Sequence, residues 1–252
     1  MSVILALKLL LVPLLIAAVT LAGRRLGPAV AGWLSAFPVV AGPILYFIAL
    51  QQGAEFTANA AVGTLSAVLA ILAFGISYAW AASVSHWPAS LLAGFSGYAL
   101  AVVLIKFWSP TLWVAATTVM AALLLAPRLY PRPALSDSPS KKPTNDIVWR
   151  MLAGALLVLL VTHFSSALGH RLSGIFAMFP VMGSVLVVFS HWQSGPAFTI
   201  QLLRGMVLGY YAFSIFCIVL VLALTSNRIN VAFLIALGCA LTVQGLTRVL
   251  KR

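Results

Sequence analysis

The chain has 252 residues, 63% of them hydrophobic and 7% charged, with a formal net charge of +12. Soluble domains carry about a quarter charged residues, so this composition leaves too little polar surface to face water and excludes an ordinary soluble domain. The positive charge does not point to nucleic acid, because Lys and Arg sit between and beside apolar runs, as they do in the cytoplasmic loops of membrane proteins. The expected fold class is an all-α polytopic membrane protein, with the lipid bilayer as its first partner.

A spanning helix needs roughly 20 mostly apolar residues. On that measure the chain divides into nine predicted spans, at about 3–22, 29–50, 56–80, 88–106, 110–127, 148–166, 172–191, 198–224 and 229–249. Met1–Gly23 lacks the basic n-region of a signal peptide, since Lys8 follows uncharged residues, so it reads as a retained first span. Cys217 and Cys239 both fall inside apolar runs and read as packing residues. The one long polar stretch, Pro131–Asp146, is rich in Pro, Ser and charge and reads as a flexible linker.

With nine crossings, Arg24, Arg25, Arg128, Arg132, Lys141, Lys142, Arg150, Arg248, Lys251 and Arg252 share one side, against Lys8, Lys106, Arg171 and Arg228 on the other. The positive-inside rule then puts the linker and C-terminus in the cytoplasm and the N-terminus outside, in a bacterial inner membrane.

Shifting the chain by 142 positions aligns it with itself without a gap. From Val19 to Phe74 there are 16 identities in 56 positions, among them Gly27/Gly169, Gly32/Gly174, Phe37-Pro38-Val39/Phe179-Pro180-Val181, Gln51/Gln193, Gly53/Gly195, Phe56-Thr57/Phe198-Thr199 and Gly63/Gly205. At least half of the identities are Gly, Pro, Phe or Gln, types that apolar low complexity does not match by chance. The expected organisation is a first four-helix repeat at 1–107, a linking helix plus linker at 108–147, and a second four-helix repeat at 148–252. Four spans return the chain to its starting side, and the unpaired fifth span carries it across, so the second repeat enters from the opposite face. A re-entrant second span would instead make the repeats parallel, but that would divide the positive charge between the two sides.

The stretch AGWLSAFPVVAGPILY, Ala31–Tyr46, and its echo SGIFAMFPVMGSVLVV, Ser173–Val188, resemble the GlpM-like small inner-membrane proteins. Those look like single copies of the four-span unit. The resemblance implies a fused pair of such units and carries no molecular activity with it.

Pro38 and Pro180 fall near the middle of the second and seventh spans. Proline removes a backbone hydrogen bond, and a broken helix at membrane depth is tolerated where it is buried in protein or lines a cavity. Matched interruptions in two halves are the sequence pointer to a transporter's central site, and ordinary packing kinks are the alternative. Phe37, Pro38, Phe179 and Pro180 are therefore candidate substrate-binding residues. Asn59 and Gln201, which correspond across the repeat, are added as polar groups one turn inside their helices. Arg204, within the eighth span, either meets an anionic substrate or snorkels to the interface. Glu55, the acid that opens the third span, and His163, inside the sixth, are candidate coupling residues, with helix capping and interhelical hydrogen bonding as the plainer readings. No cofactor motif, metal-ligand spacing or nucleophile–base arrangement is present, so an enzyme is not expected.

The leading expectation is a secondary transporter or permease that moves a small anion or an amphiphile. The alternatives are a non-transporting scaffold or assembly factor and a lipid translocator. A small-molecule substrate and a homodimer are the further partners considered; nucleic acid is not.

Overall fold

A computed structural model describes residues 3–108, 110–132, 146–167 and 179–249. Most of the linker (133–145) and the start of the predicted seventh span, with Gly174, lie outside the described residues. Among the described residues the secondary structure is entirely helical. The helices are α1 (Val3–Leu26), α2 (Pro28–Ser35), α3 (Ala41–Ala82), α4 (Trp87–Lys106), α5 (Leu112–Leu129), α6 (Ile147–Ala167), α7 (Val181–Leu224) and α8 (Ile229–Val249). Six of them, α1, α3, α4, α5, α7 and α8, are long and apolar enough to cross a membrane. The outer surface is apolar as well: Leu92, Leu124, Trp149 and Leu234 are each about two-thirds exposed. Both features are consistent with a multi-pass membrane protein.

The predicted second span is not one helix. α2 stops at Ser35, and helix resumes only at Ala41, with Phe37 and Pro38 in the gap. The predicted boundary between the second and third spans is also shorter than expected. It shrinks to one residue, Gly53, where helical geometry lapses at φ 84°, ψ 176°. α7 repeats this at Gly195, with φ 82°, ψ 178°. That region is open essentially to glycine alone, so each long helix is two arms joined at a glycine hinge. The first arms, 41–52 and 181–194, are roughly 18–21 Å long at 1.5 Å per residue, too short to cross alone. One turn after each hinge a threonine donates back to the hinge carbonyl: Thr57 Oγ1 to Gly53 at 2.8 Å, and Thr199 Oγ1 to Gly195 at 3.1 Å.

The Phe-Pro breaks match in the same detail. Val39 N donates to Phe37 O and Val181 N to Phe179 O, both at 2.8 Å. Gly42 N then donates to Pro38 O at 2.9 Å, and Ser184 N to Pro180 O at 2.8 Å. Pro180, at φ −78°, ψ 60°, has the geometry of an inverse γ-turn. Proline presets such a turn and offers no N–H of its own. The break therefore makes part of its hydrogen bonding locally and restarts a helix at once.

Packing follows the same correspondence. α3 pairs with α4 as α7 pairs with α8, α3 crosses α7, α1 lies on α6, and α5 touches both long helices. The half-helix α2 lies on the second arm of α7, backbone against backbone. A methyl group on Gly32 would overlap the Leu202 carbonyl, one on Gly205 the Ala29 carbonyl, and one on Gly209 the Trp33 carbonyl. Gly205 and Gly209 form a small-xxx-small pair, the pattern that lets membrane helices approach this closely. α8 holds the other side of α2. Trp33 Nε1 donates to Thr247 Oγ1 at 3.0 Å, Gln244 Nε2 donates to Trp33 O at 2.9 Å, and the Arg248 guanidinium lies over the Trp33 ring.

Gly205→Ala is expected to lower the apparent melting temperature in detergent, with a cost of roughly 1–3 kcal/mol for overpacking. Gly238→Ala, where a methyl group meets no described atom, should stay within about 0.5 kcal/mol of the wild type. A thermal-shift measurement on the purified pair checks both.

Candidate functional site

Two arrangements stand out, a pocket and a buried charge cluster. The pocket, about 550 Å³, lies at the first Phe-Pro break. Phe37, Pro38, Val39, Gly42, Pro43 and Tyr46 form one wall, Phe216 of α7 the floor, and Asn230, Phe233, Leu234 and Leu237 of α8 the opposite wall. The space lies where the chain leaves helical packing between Ser35 and Ala41. Its polar feature is one hydrogen bond at the side, from Tyr46 Oη to Asn230 Oδ1 at 2.8 Å. Leu234 and Leu237 also face the outside, at 69% and 40% exposure, so the pocket opens sideways past α8. Its size falls within the range of small-molecule sites, and an apolar lining with one placed polar pair is the usual composition of such a site.

The second Phe-Pro pair has different surroundings. The Phe179 ring lies 4.9 Å from that of Phe95 and 5.9 Å from that of Tyr98, both on α4, and Phe95 in turn stacks on Phe74 at 5.6 Å. Each break thus faces the last helix of the other half: Phe37 lies across the pocket from α8, and Phe179 packs against α4.

The charge cluster centres on Asp146, which sequence reading leaves at the end of a solvated linker. It is buried, at 5% exposure. Arg24, at the end of α1, pairs with one carboxylate oxygen. Arg150 Nε, on α6, donates to the other at 2.5 Å, as does Gln193 Nε2 at 2.5 Å. Arg150 also donates to Gln193 Oε1 at 3.2 Å and lies 5.1 Å from the Phe189 ring centroid. The cluster ties α1, α6 and the first arm of α7 together two residues before the Gly195 hinge. A partial sequence signal existed: Gln193 is one of the repeated glutamines, and Arg150 corresponds to Lys8.

Arg204 is half-buried on the second arm of α7 and donates to the Pro131 carbonyl at 3.3 Å, just past the end of α5. Next to it, burial and the neighbouring Tyr210 push the Tyr130 phenol well above its ordinary range, opposed by Arg204. Tyr130 reaches α3, since a methyl group on Gly75 would overlap its hydroxyl, and Trp80 Nε1 donates to Leu129 O at 2.8 Å. Asn59 and Gln201 are exposed on α3 and α7, outside the pocket wall. Glu55 is exposed two residues after the Gly53 hinge, and His163 is exposed on α6. Of the predicted residues, then, Phe37 and Pro38 share the pocket, and the others lie elsewhere. Tyr46, Asn230 and Asp146 were not predicted as site residues. Among the described residues no group of His, Cys, Asp and Glu could hold a metal.

Comparison with known proteins finds no matching family model, no matching curated protein and no matching solved structure.

Asp146→Ala would leave two arginines facing each other without their shared carboxylate. Breaking a buried pair in this way costs roughly 3–5 kcal/mol. The variant is expected to melt well below the wild type in detergent, while Glu55→Ala, on an exposed surface, should change little. Equal melting temperatures for the two variants would contradict the cluster's structural weight.

Proposed function

We propose that this chain is a multi-pass inner-membrane permease whose two halves are inserted with opposite orientation, and that its cargo is a lipid-like amphiphile. The pocket at the Phe37-Pro38 break carries this reading. Its walls suit a hydrocarbon tail, Tyr46 and Asn230 offer a hydrogen-bonding anchor for a head group, and the exposed Leu234 and Leu237 leave a sideways path from the lipid.

Nine crossings are supported by which ends meet. If α2 and the first arm of α3 form one interrupted crossing, the hinge glycines lie at the membrane faces. Arg24, Asp146, Arg150 and Gln193 then share a face with the end of α5, Arg204 and the Trp33–Arg248 contact. The Tyr46–Asn230 bond lies toward the opposite face. This assigns most of the Lys and Arg residues to one side, which the positive-inside rule makes cytoplasmic. The small-anion reading is weaker, because Arg204 is directed at a backbone carbonyl away from the pocket and the pocket itself carries no charge. Lipid translocation is a second reading, favoured by the exposure of Leu234 at the pocket's rim.

In proteoliposomes, wild-type protein should accelerate transbilayer movement of a fluorescent fatty acid, and Pro38→Ala should abolish most of that flux while keeping its melting temperature. Tyr46→Phe should weaken binding of the same probe about fivefold, the loss of one net hydrogen bond of roughly 1 kcal/mol. A wild type that moves neither fatty acid nor phospholipid would leave the scaffold role in its place.

A further inference from the structure

The repeat that relates the two Phe-Pro breaks relates the whole pocket lining. Moved by 142 positions, Phe37, Pro38 and Val39 become Phe179, Pro180 and Val181, Phe216 becomes Phe74, and Leu234 becomes Leu92, all unchanged in type. Among the wall residues that differ, two exchange size, Phe233 becoming Leu91 and Leu237 becoming Phe95, so the aromatic ring sits one turn further along the helix; Gly42 and Pro43 become Ser184 and Val185. At the first break Leu237 leaves about 550 Å³ open. At the second, the larger Phe95 ring occupies the corresponding place, 4.9 Å from Phe179 and 5.6 Å from Phe74.

We propose that the chain holds a second binding site for the same amphiphile, between Phe179-Pro180 and α4, which its own Phe95 fills in this structure. This rests on the permease reading of the first pocket. The Phe95 ring stands in for the ligand's apolar part, because it stacks on the same Phe and Phe pair that the open pocket presents to a tail. The head-group anchor is supplied differently. Val188 and Pro88 replace Tyr46 and Asn230, but Tyr78 Oη lies 3.2 Å from His191 Nδ1, a buried polar pair on the two helices that frame the plugged site. The two sites also lie toward opposite ends of the molecule. The open one flanks the Tyr46–Asn230 contact, whereas the filled one lies on the arm that ends at Gln193 and the Asp146 cluster. An aromatic side chain can leave such a place by a rotamer change, and a ligand that binds the vacated form draws the equilibrium toward it.

The test is photo-crosslinking in nanodiscs with a long-chain fatty acid carrying a diazirine, read by peptide mass spectrometry. Wild-type protein should label around 37–46 and 230–237. Phe95→Leu, which gives the second site the first site's wall residue, should raise labelling at 179–188 and 88–95 by roughly tenfold or more, the effect that a change in wall-residue size has in an apolar pocket. The reciprocal Leu237→Phe should lower labelling at the first pocket by a similar factor. Phe95→Met, closer in volume, is read in the same way if Phe95→Leu does not fold. A folded Phe95 variant that gives only the wild-type adducts overturns the second site and leaves the first standing. A wild type that labels at neither pocket overturns both.

Discussion

In lipid, a backbone N–H or C=O without a protein partner has no water to turn to, and a helix interrupted at membrane depth exposes several such groups at once. The chain handles both interruptions by the same means. The Phe-Pro-Val turn closes its own hydrogen bond at 2.8 Å in each copy and passes directly into a new helix. In the first copy the eight-residue piece before the break lies with its backbone on that of α7, which is possible because Gly32, Gly205 and Gly209 carry no side chains at the crossing. Dispersion between two backbones in direct contact replaces the hydrophobic driving force that lipid removes. The pocket exists because that half-helix is held in place while the chain beyond it turns away.

The hinges are the second recurring device. Gly53 and Gly195 share φ and ψ to within a few degrees, and each is braced by a threonine four residues on. On this shared frame the halves differ in filling. One break borders open space with a polar pair at its side, and the other is packed by aromatic rings. The Asp146 cluster ties the ends of α1, α6 and the first arm of α7, whereas Ile4 stands at the corresponding position of the first half.

What was legible in the sequence was what local backbone chemistry dictates. A proline removes a backbone hydrogen bond, and although Pro13 is carried inside α1, the Phe-Pro pair repeated at a spacing of 142 marks both breaks, just as the repeated Gly53 and Gly195 mark the two hinges. Both are visible as identities in the sequence, although the single-residue tightness of the hinges is not. Asp146 was not legible, because a carboxylate at the end of a Pro/Ser/Lys stretch looks solvated. Its burial depends on α1, α6 and α7 converging from distant parts of the chain. Arg204 looked like an anion ligand or a snorkelling side chain, and its actual acceptor, the Pro131 carbonyl, belongs to a helix end that no periodicity predicts. Tyr46 and Asn230 are 184 positions apart and meet only through the fold.

The central claim is that the halves are inverted, and the two hinges test it most directly. Gln52 and Ser194 are repeat mates beside Gly53 and Gly195. In a background with Cys217 and Cys239 replaced by Ser, single cysteines at these two positions can be challenged in sealed vesicles of known orientation with a membrane-impermeant maleimide. Inversion predicts that Ser194→Cys is labelled from the linker side and Gln52→Cys from the other. Labelling of both from the same side would contradict it.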